Sequence, residues 1–436
     1  MKSYMKFGLA AAVSLIALEA SAGGFGVREQ SAISQGASFA GAATSAAGLS
    51  GMYWNPAIVT TVPGMNAESH VSGIFGFAKL TPISGVSAPA AVGGTGNLGI
   101  PALVGTSYYN YQVNDRLFLG LSINAPYGLK TQSNYNWSGQ LYGRSSKALN
   151  MLFTPTIGFK VNDWLAVGAG LQIGYFDVNL KGATPSSPNP RAAATALLPN
   201  SPNNILDGDG WSAGYTLGAT ITPFAGTEIG IGFRSMVHYD LKGTVKLPYA
   251  VLPIKAKVNL PEMLTIGLRQ QINDKVTMLA GFEWTNWSRV HRAAIRNRGT
   301  GAPISQLAFD YKDGYLASLG GEYRWDDRLL LRAGLAYEWS PIEDATRSVR
   351  IPDNDRIWAS LGATYKWNDR LTFDGSYTHI FVKDPDVAIL PGHHDYRAGV
   401  PLVAKGKAHV DIISFSMRYS FNPPPPPVSK SVATKG

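Results

Sequence analysis

Cysteine is absent from all 436 residues, which leaves this chain neither a disulfide framework nor a thiolate metal site. Charge is scarce too: Asp, Glu, Lys and Arg make up 15% of the residues, little for the two or three soluble domains that the length would allow. No apolar run is long enough for a membrane helix. The longest, Phe7 to Leu18, falls short of the ~20 residues a spanning helix needs, so a helical membrane protein is excluded. No His-Glu-x-x-His metal motif occurs either. Gly94-Thr-Gly96-Asn-Leu-Gly99 has the spacing of a dinucleotide loop, but Pro101 follows and no helix opens there. His393-His394 lacks a third spaced ligand and reads as solvated loop. Neither a metal nor another cofactor is expected, and the chain is not expected to be an enzyme. Its net charge of +9 comes from Lys and Arg scattered singly, without the patch or helical stripe that nucleic acid requires.

Glycine (48), tyrosine (20) and tryptophan (10) are plentiful, a mixture suited to closely packed strands bordered by amphipathic aromatics. The start reads as a secretion signal over residues 1–22, with Lys2 and Lys6, the apolar stretch, and Ala20-Ser21-Ala22 as cleavage site. Beyond it a two-residue Asn/Asp turn followed by a β-rich run recurs at Asn114-Asp115, Asn162-Asp163, Asn273-Asp274, Asp326-Asp327 and Asn368-Asp369. Pro223-Phe224-Ala225-Gly226 is a sixth, variant turn. Asn and Asp tolerate left-handed backbone angles and bond their own backbone, so they suit short hairpin connections. Between successive turns lie two apolar-alternating runs and a longer polar stretch. Short turns on one side and long loops on the other are the outer-membrane pattern, and the count gives fourteen antiparallel strands over residues 65–421.

Alternation assigns the faces. Leu331, Ala333, Leu335, Tyr337 and Trp339 alternate with Arg332 and Glu338, and Ile413, Phe415, Met417, Tyr419 and Phe421 alternate with Ser414, Ser416, Arg418 and Ser420. A soluble sandwich or barrel would alternate too. Fourteen strands, the secretion signal and the aromatics near strand ends favour an all-β transmembrane barrel with its apolar face in lipid.

Five segments do not fit a plain barrel. Residues 23–64 do not alternate, are rich in Ala, Gly and Ser, and end near Asn55-Pro56-Ala57; they read as a hatch folded into the lumen rather than a periplasmic extension. The third strand meets Pro126 and Gly128 after Ile123. Proline cannot donate to a ladder, so either the wall breaks there or the strand simply ends at the outer rim. Apolar clusters stand in what read as two long loops: Ala192 to Leu198 within 181–210, and Tyr249 to Ile254 within 241–257. Pro423 to Pro427 opens a proline-rich tail over residues 422–436, expected to be disordered.

Several motifs carry a resemblance to a known family. They are Gly41 to Ala57 ending in Asn-Pro-Ala, Asn124-Ala-Pro-Tyr-Gly-Leu129, Phe233-Arg-Ser235 with Asp240-Leu-Lys-Gly243, Asn259-Leu-Pro-Glu262, Trp284-Thr-Asn-Trp-Ser288, Tyr311-Lys-Asp-Gly-Tyr315 and Ile351-Pro-Asp-Asn-Asp-Arg-Ile-Trp358. Through them the chain resembles the FadL/TodX family of outer-membrane transporters for long-chain fatty acids and hydrocarbons. The resemblance implies a monomeric barrel in the bacterial outer membrane, surrounded by outer-membrane lipids and closed by a hatch that moves around Asn55, Pro56 and Ala57. It implies capture of a long-chain fatty acid or hydrocarbon in an extracellular groove, here at Leu197, Leu198, Val251 and Leu252. It further implies sideways release through a third-strand kink at Asn124, Pro126, Tyr127 and Gly128, turning the choice at Pro126 towards a gap. Where the family's best-known member carries headgroup-binding cations stand Asp177 and an apolar stretch near Leu307; Arg234, Lys312 and Arg332 are the candidates that remain. Fatty acid and uncharged hydrocarbon both stay open as substrates, with a general porin or adhesin as the further alternative.

Overall fold

The computed structural model describes residues 24–84, 93–184, 200–397 and 399–422, so the expected signal, the Leu197-Leu198 cluster and the proline tail lie outside the described residues. Fourteen antiparallel strands form a closed barrel. They are β1 (Met65–Pro82), β2 (Ala102–Gln112), β3 (Leu117–Asn124 with Gly128–Gln132), β4 (Ser145–Lys160), β5 (Leu165–Ala183), β6 (Asn203–Ile221) and β7 (Thr227–Arg234 with Val237–Leu247). Then follow β8 (Ala250–Leu260 with Met263–Gln271), β9 (Val276–Thr285 with Arg292–Asn297), β10 (Pro303–Ala308 with Gly314–Arg324), β11 (Leu329–Trp339), β12 (Arg356–Lys366), β13 (Leu371–Val382) and β14 (Leu402–Ser420). The barrel closes where β1 pairs with both β2 and β14.

The expected turns build one rim. In the first, the Asn114 side chain accepts the amides of Arg116 and Leu117, each at 2.9 Å, and Asn162, Asn273, Asp326 and Asn368 repeat the arrangement. At Asp326 the amides of Arg328 and Leu329 hold the carboxyl below its ordinary range. Gly226 supplies the positive φ of the sixth turn, 85°. Faces fall as the alternation requires: Leu335 (61% exposed), Leu361 (64%) and Phe415 (60%) look outward, while Arg332 and Glu338 are buried inside.

One expectation fails. Residues 241–257 are not a long loop; β7 and β8 continue as a ladder from Leu260 opposite Val237 to Ala250 opposite Leu247. Above the membrane a strand's outer face need not be apolar, so the lipid-facing alternation fades while pairing persists.

Residues 24–64 lie within the barrel, almost all of them buried through Thr60. Small residues let this segment touch the wall: a Cβ on Gly230 would sit 1.8 Å from the Ala43 carbonyl oxygen, and one on Gly232 1.7 Å from that of Trp54. Its polar groups are spent on the wall. Arg28 pairs with Glu283 of β9 and with Glu338 of β11 (3.2 Å), the Gln35 amide donates to Thr378 of β13 (2.8 Å), and Ser38 donates to the Gly334 carbonyl of β11 (3.0 Å). Such ties to many strands compensate the burial of charge and amide inside the barrel.

Candidate functional site

β3 loses a neighbour in mid-course. As far as Ile123, opposite Ser107, it pairs with β2; after Ala125-Pro126-Tyr127 it resumes at Gly128 and pairs with β4 alone. β2 therefore runs from Ala102 to Thr106 with β1 on one side and no β3 partner on the other. Further out the wall closes again, where Gly99 bridges Thr131 and the Gln132 amide donates to the Leu98 carbonyl (3.1 Å). The result is a window bounded by β2, β3 and the segment around Gly99.

The start of the N-terminal segment fills this window. Gly26 bridges Tyr127; the Val27 amide donates to the Pro126 carbonyl (2.8 Å), and the Gly128 amide donates to the Phe25 carbonyl (2.9 Å). Gln30 then ties both edges. Its side-chain amide donates to the Ala125 carbonyl (2.9 Å) and its side-chain oxygen accepts the Ala125 amide (3.2 Å), replacing the strand partner that Ala125 lacks. Its backbone carbonyl accepts Thr106 (2.9 Å) and Tyr108 (2.8 Å) from β2. Asn124 joins the same network by donating to the Tyr108 hydroxyl (2.7 Å). An interruption in β9 is bridged differently, by barrel residues: the Asn286 amide donates to the Glu262 carbonyl (3.0 Å) and its side chain to the Glu262 carboxylate (2.6 Å). The opening in β3 is thus patched by a separable piece of chain, and the opening in β9 by the wall itself.

Asn55-Pro56-Ala57 lies elsewhere. Asn55 caps the short 3-10 turn Pro56–Thr60 by accepting the Ala57 amide (3.0 Å), and donates to the Ala43 (2.9 Å) and Ala219 (3.0 Å) carbonyls. These contacts anchor the segment to β6; Phe25 to Gln30 are the residues at the break.

Against the window lies a cavity of about 220 Å³. Phe25, Leu129, Phe176, Leu241, Ile254 and Ile351 supply much of its apolar lining. Phe25 and Leu129 connect the two features, since Phe25 bonds to Gly128 through its carbonyl and Leu129 is the next residue. Tyr127 reaches inward, its hydroxyl on the Pro261 carbonyl (3.0 Å) and its ring 6.0 Å from Phe25 and 5.9 Å from Trp287.

Arg234, Lys312 and Arg332 do not line this cavity. Arg234 donates to the Tyr53 carbonyl (2.8 Å) and Gln172 (3.1 Å), with its guanidinium 4.3 Å above the Tyr53 ring. Arg332 is engaged by Glu322 (2.8 Å) and Asp374 (3.7 Å), and the exposed Lys312 by Glu343 (3.1 Å). Leu307 does line the cavity. Asp177 instead pairs with Lys147 (3.4 Å) and is partly exposed. Val251 is 62% exposed near the tip of the β7–β8 hairpin, and Leu252 is half-buried beside it.

The cation that the sequence reading overlooked is Arg350, which lines the cavity with Lys242 and Arg397. It alone of the three is half-buried; the others are exposed. Arg350 donates to the Ser145 carbonyl (3.0 Å) and the Ser146 hydroxyl (3.2 Å), and no carboxylate lies within ion-pair distance among the described residues. Burial lowers its guanidinium to about 10, against an opposing pull from Asp395, which lines the same cavity. Arg350 directly precedes Ile351-Pro-Asp-Asn-Asp-Arg, but nothing in that spacing signals that its side chain meets β4.

His393 and His394 have a neighbour the spacing rule missed, Asp395, with ligand-type atoms all within 4.8 Å of one another. His393 Nδ1 accepts the Asp395 amide (3.1 Å), which places the ring proton on Nε2 and commits that nitrogen as a donor.

A closed barrel with lipid-facing apolar strands, a filled lumen and an apolar cavity beside a wall break defines an outer-membrane transport channel for hydrophobic compounds, not an enzyme. The chain belongs to the outer membrane protein transport protein family (OMPP1/FadL/TodX), whose model matches residues 13–421. It is 26% identical over 380 residues to the long-chain fatty acid transport protein of Salmonella typhi, covering 81% of this chain and 86% of that one. To outer membrane protein P1 of Haemophilus influenzae it is 25% identical over 465 residues, covering 97% and 100%. Among solved structures it is similar to a Pseudomonas aeruginosa FadL homologue (TM-score 0.78, 24% identity, 92% and 100% covered). The Pseudomonas putida toluene transporter TodX shares the fold as well (TM-score 0.65, 18% identity, 92% and 99% covered). Like its family, the protein resides in the bacterial outer membrane.

Proposed function

We propose that the chain is a passive uptake channel for long-chain fatty acids that releases its substrate sideways into the membrane. A fatty acid settles on the apolar tip of the β7–β8 hairpin, where Tyr249 (81%) and Val251 (62%) are exposed, and passes into the cavity. There its carboxylate meets Arg350 and its chain lies against Phe176, Leu241 and Ile254. Displacement of Phe25 to Gln30, acting as the hatch, opens the window between β2 and β3. The observation that carries this reading is that one short segment both lines the cavity, through Phe25, and patches the window. Physical chemistry favours the route: each methylene kept from water is worth roughly 0.8 kcal/mol, so an apolar passage opening into lipid outperforms a wet pore. Downstream consumption is enough to drive net flow.

A second reading, uptake of an uncharged hydrocarbon, is favoured by the largely apolar cavity wall and by the toluene transporter that shares the fold. Expressed in cells lacking their own fatty-acid channel, the protein is expected to restore uptake of radiolabelled palmitate while conducting almost no ions in a planar bilayer. An open-pore ion current without palmitate uptake would mean a general porin.

A further inference from the structure

The outer wall carries an unneutralised pair of lysines. On the outward face of β1, β14 and β13, Phe77 stands opposite His409 and His409 opposite Phe381, a shelf in which the Phe77 and His409 rings stack at 5.0 Å. One outward-facing position further from the turn rim, Lys79 stands directly opposite Lys407. Both are exposed, and neither has a carboxylate partner among the described residues. Like charges directly opposed on one face of an antiparallel pair repel, so this register is costly unless an anion lies between them. Of the acidic residues nearby, Asp386 is paired with Lys405, Asp384 also acts on Lys405, and Asp411 is held by the Tyr377 hydroxyl (2.6 Å) and His379 (2.8 Å).

Height identifies the anion. From Tyr419, near the turn rim, to Lys407 the strand climbs roughly 30 Å, at ~3.3 Å per residue and a tilt of ~40°. That is the thickness of the hydrocarbon core, so the two ammonium groups stand at the level of the outer-leaflet headgroups. Directly below them stand His409 and the Asp411–His379 pair, and beneath these the outward face is apolar and exposed, with Ile413 (44%) and Phe415 (60%) and, beside Asp411, Phe75 (49%).

We propose that Lys79 and Lys407 clasp a phosphate of a phosphorylated outer-leaflet glycolipid, whose acyl chains lie along Phe75, Ile413 and Phe415. The phosphate oxygens accept from both ammonium groups and turn a repulsive register into a bridged one. This surface faces lipid, apart from the transport cavity, and does not depend on the transport reading.

The test uses the full chain in nanodiscs of zwitterionic phosphatidylcholine containing either bisphosphorylated lipid A or its dephosphorylated form. Native mass spectrometry reads the lipid retained. The bisphosphorylated form should be held roughly 30-fold more strongly, the worth of two lysine contacts at an anionic lipid surface. K79Q/K407Q should lose that preference, K79R/K407R should keep it, and palmitate uptake should be unchanged in both. Equal retention of the two lipids by the unaltered protein would overturn the proposal, as would full retention in a K79Q/K407Q barrel that still shows heat-modifiable gel mobility. Displacement of the lipid by excess inorganic phosphate would reassign the site to a free anion, again against the proposal. Should K79Q/K407Q fail to assemble, the comparison of the two lipids on the unaltered protein still decides.

Discussion

With cysteines in place of Gly26 and Tyr127, oxidation is expected to cut palmitate uptake by roughly tenfold or more, the scale of effect when a gating motion is blocked, and dithiothreitol to restore it. The geometry suits a disulfide. The hydrogen bonds that frame this bridge come from Val27 and Gly128, so Gly26 and Tyr127 form the non-hydrogen-bonded kind of antiparallel pair, with Cα atoms about 4.5 Å apart. The chain contains no other cysteine to compete. Tyr127 also gives up its bond to Pro261 in this variant, so the single substitution Y127C measures that loss separately. Undiminished uptake by the oxidised protein would mean that the segment from Phe25 to Gln30 does not move during transport.

Arg350→Gln should weaken palmitate binding by about 10- to 100-fold and leave hexadecanol binding nearly unaltered. A hydrogen bond to a charged group contributes roughly 1.5–3 kcal/mol, which sets this range. Glutamine removes the charge but is shorter than arginine and gives up the Ser145 carbonyl, so the hexadecanol arm reports any change in the cavity wall. Titration of the purified protein with labelled palmitate and labelled hexadecanol provides the readout. Equal losses for acid and alcohol would point to a collapsed cavity, and no loss for either would favour the uncharged-hydrocarbon reading.

The barrel was legible because its rules are local. An Asn or Asp side chain caps two amides of its own turn, and alternation along a strand separates lipid from lumen, so turns and faces are written in short stretches of chain. Parity gave no information about height. Arg234 and Arg332 face inward as their positions require, but at levels where other residues already occupy their guanidinium groups, so neither reaches the cavity. The break in β3 was readable only as an ambiguity, because Pro126 equally ends a strand or interrupts one; register with β2 decides, and pairing partners far along the chain leave no mark near the proline. For the same reason Gln30 carried no signal: its partners Thr106, Tyr108 and Ala125 are distant in sequence. The 241–257 stretch misled because its hairpin rises beyond the membrane, where the alternation rule loses its cause.

The proposed route takes the substrate out through the wall. A palmitate analogue with a diazirine near its methyl end, added to intact cells expressing the protein and irradiated during uptake, would mark the residues along its path. Mass spectrometry should find cross-links on Phe25, on Leu129 and then on the outward-facing Leu103 of β2, beside the window. Cross-links that bypass Leu103 and collect instead on Thr60, Arg116 and Lys160, around the turn-side mouth of the lumen, would show straight passage through the barrel and contradict it.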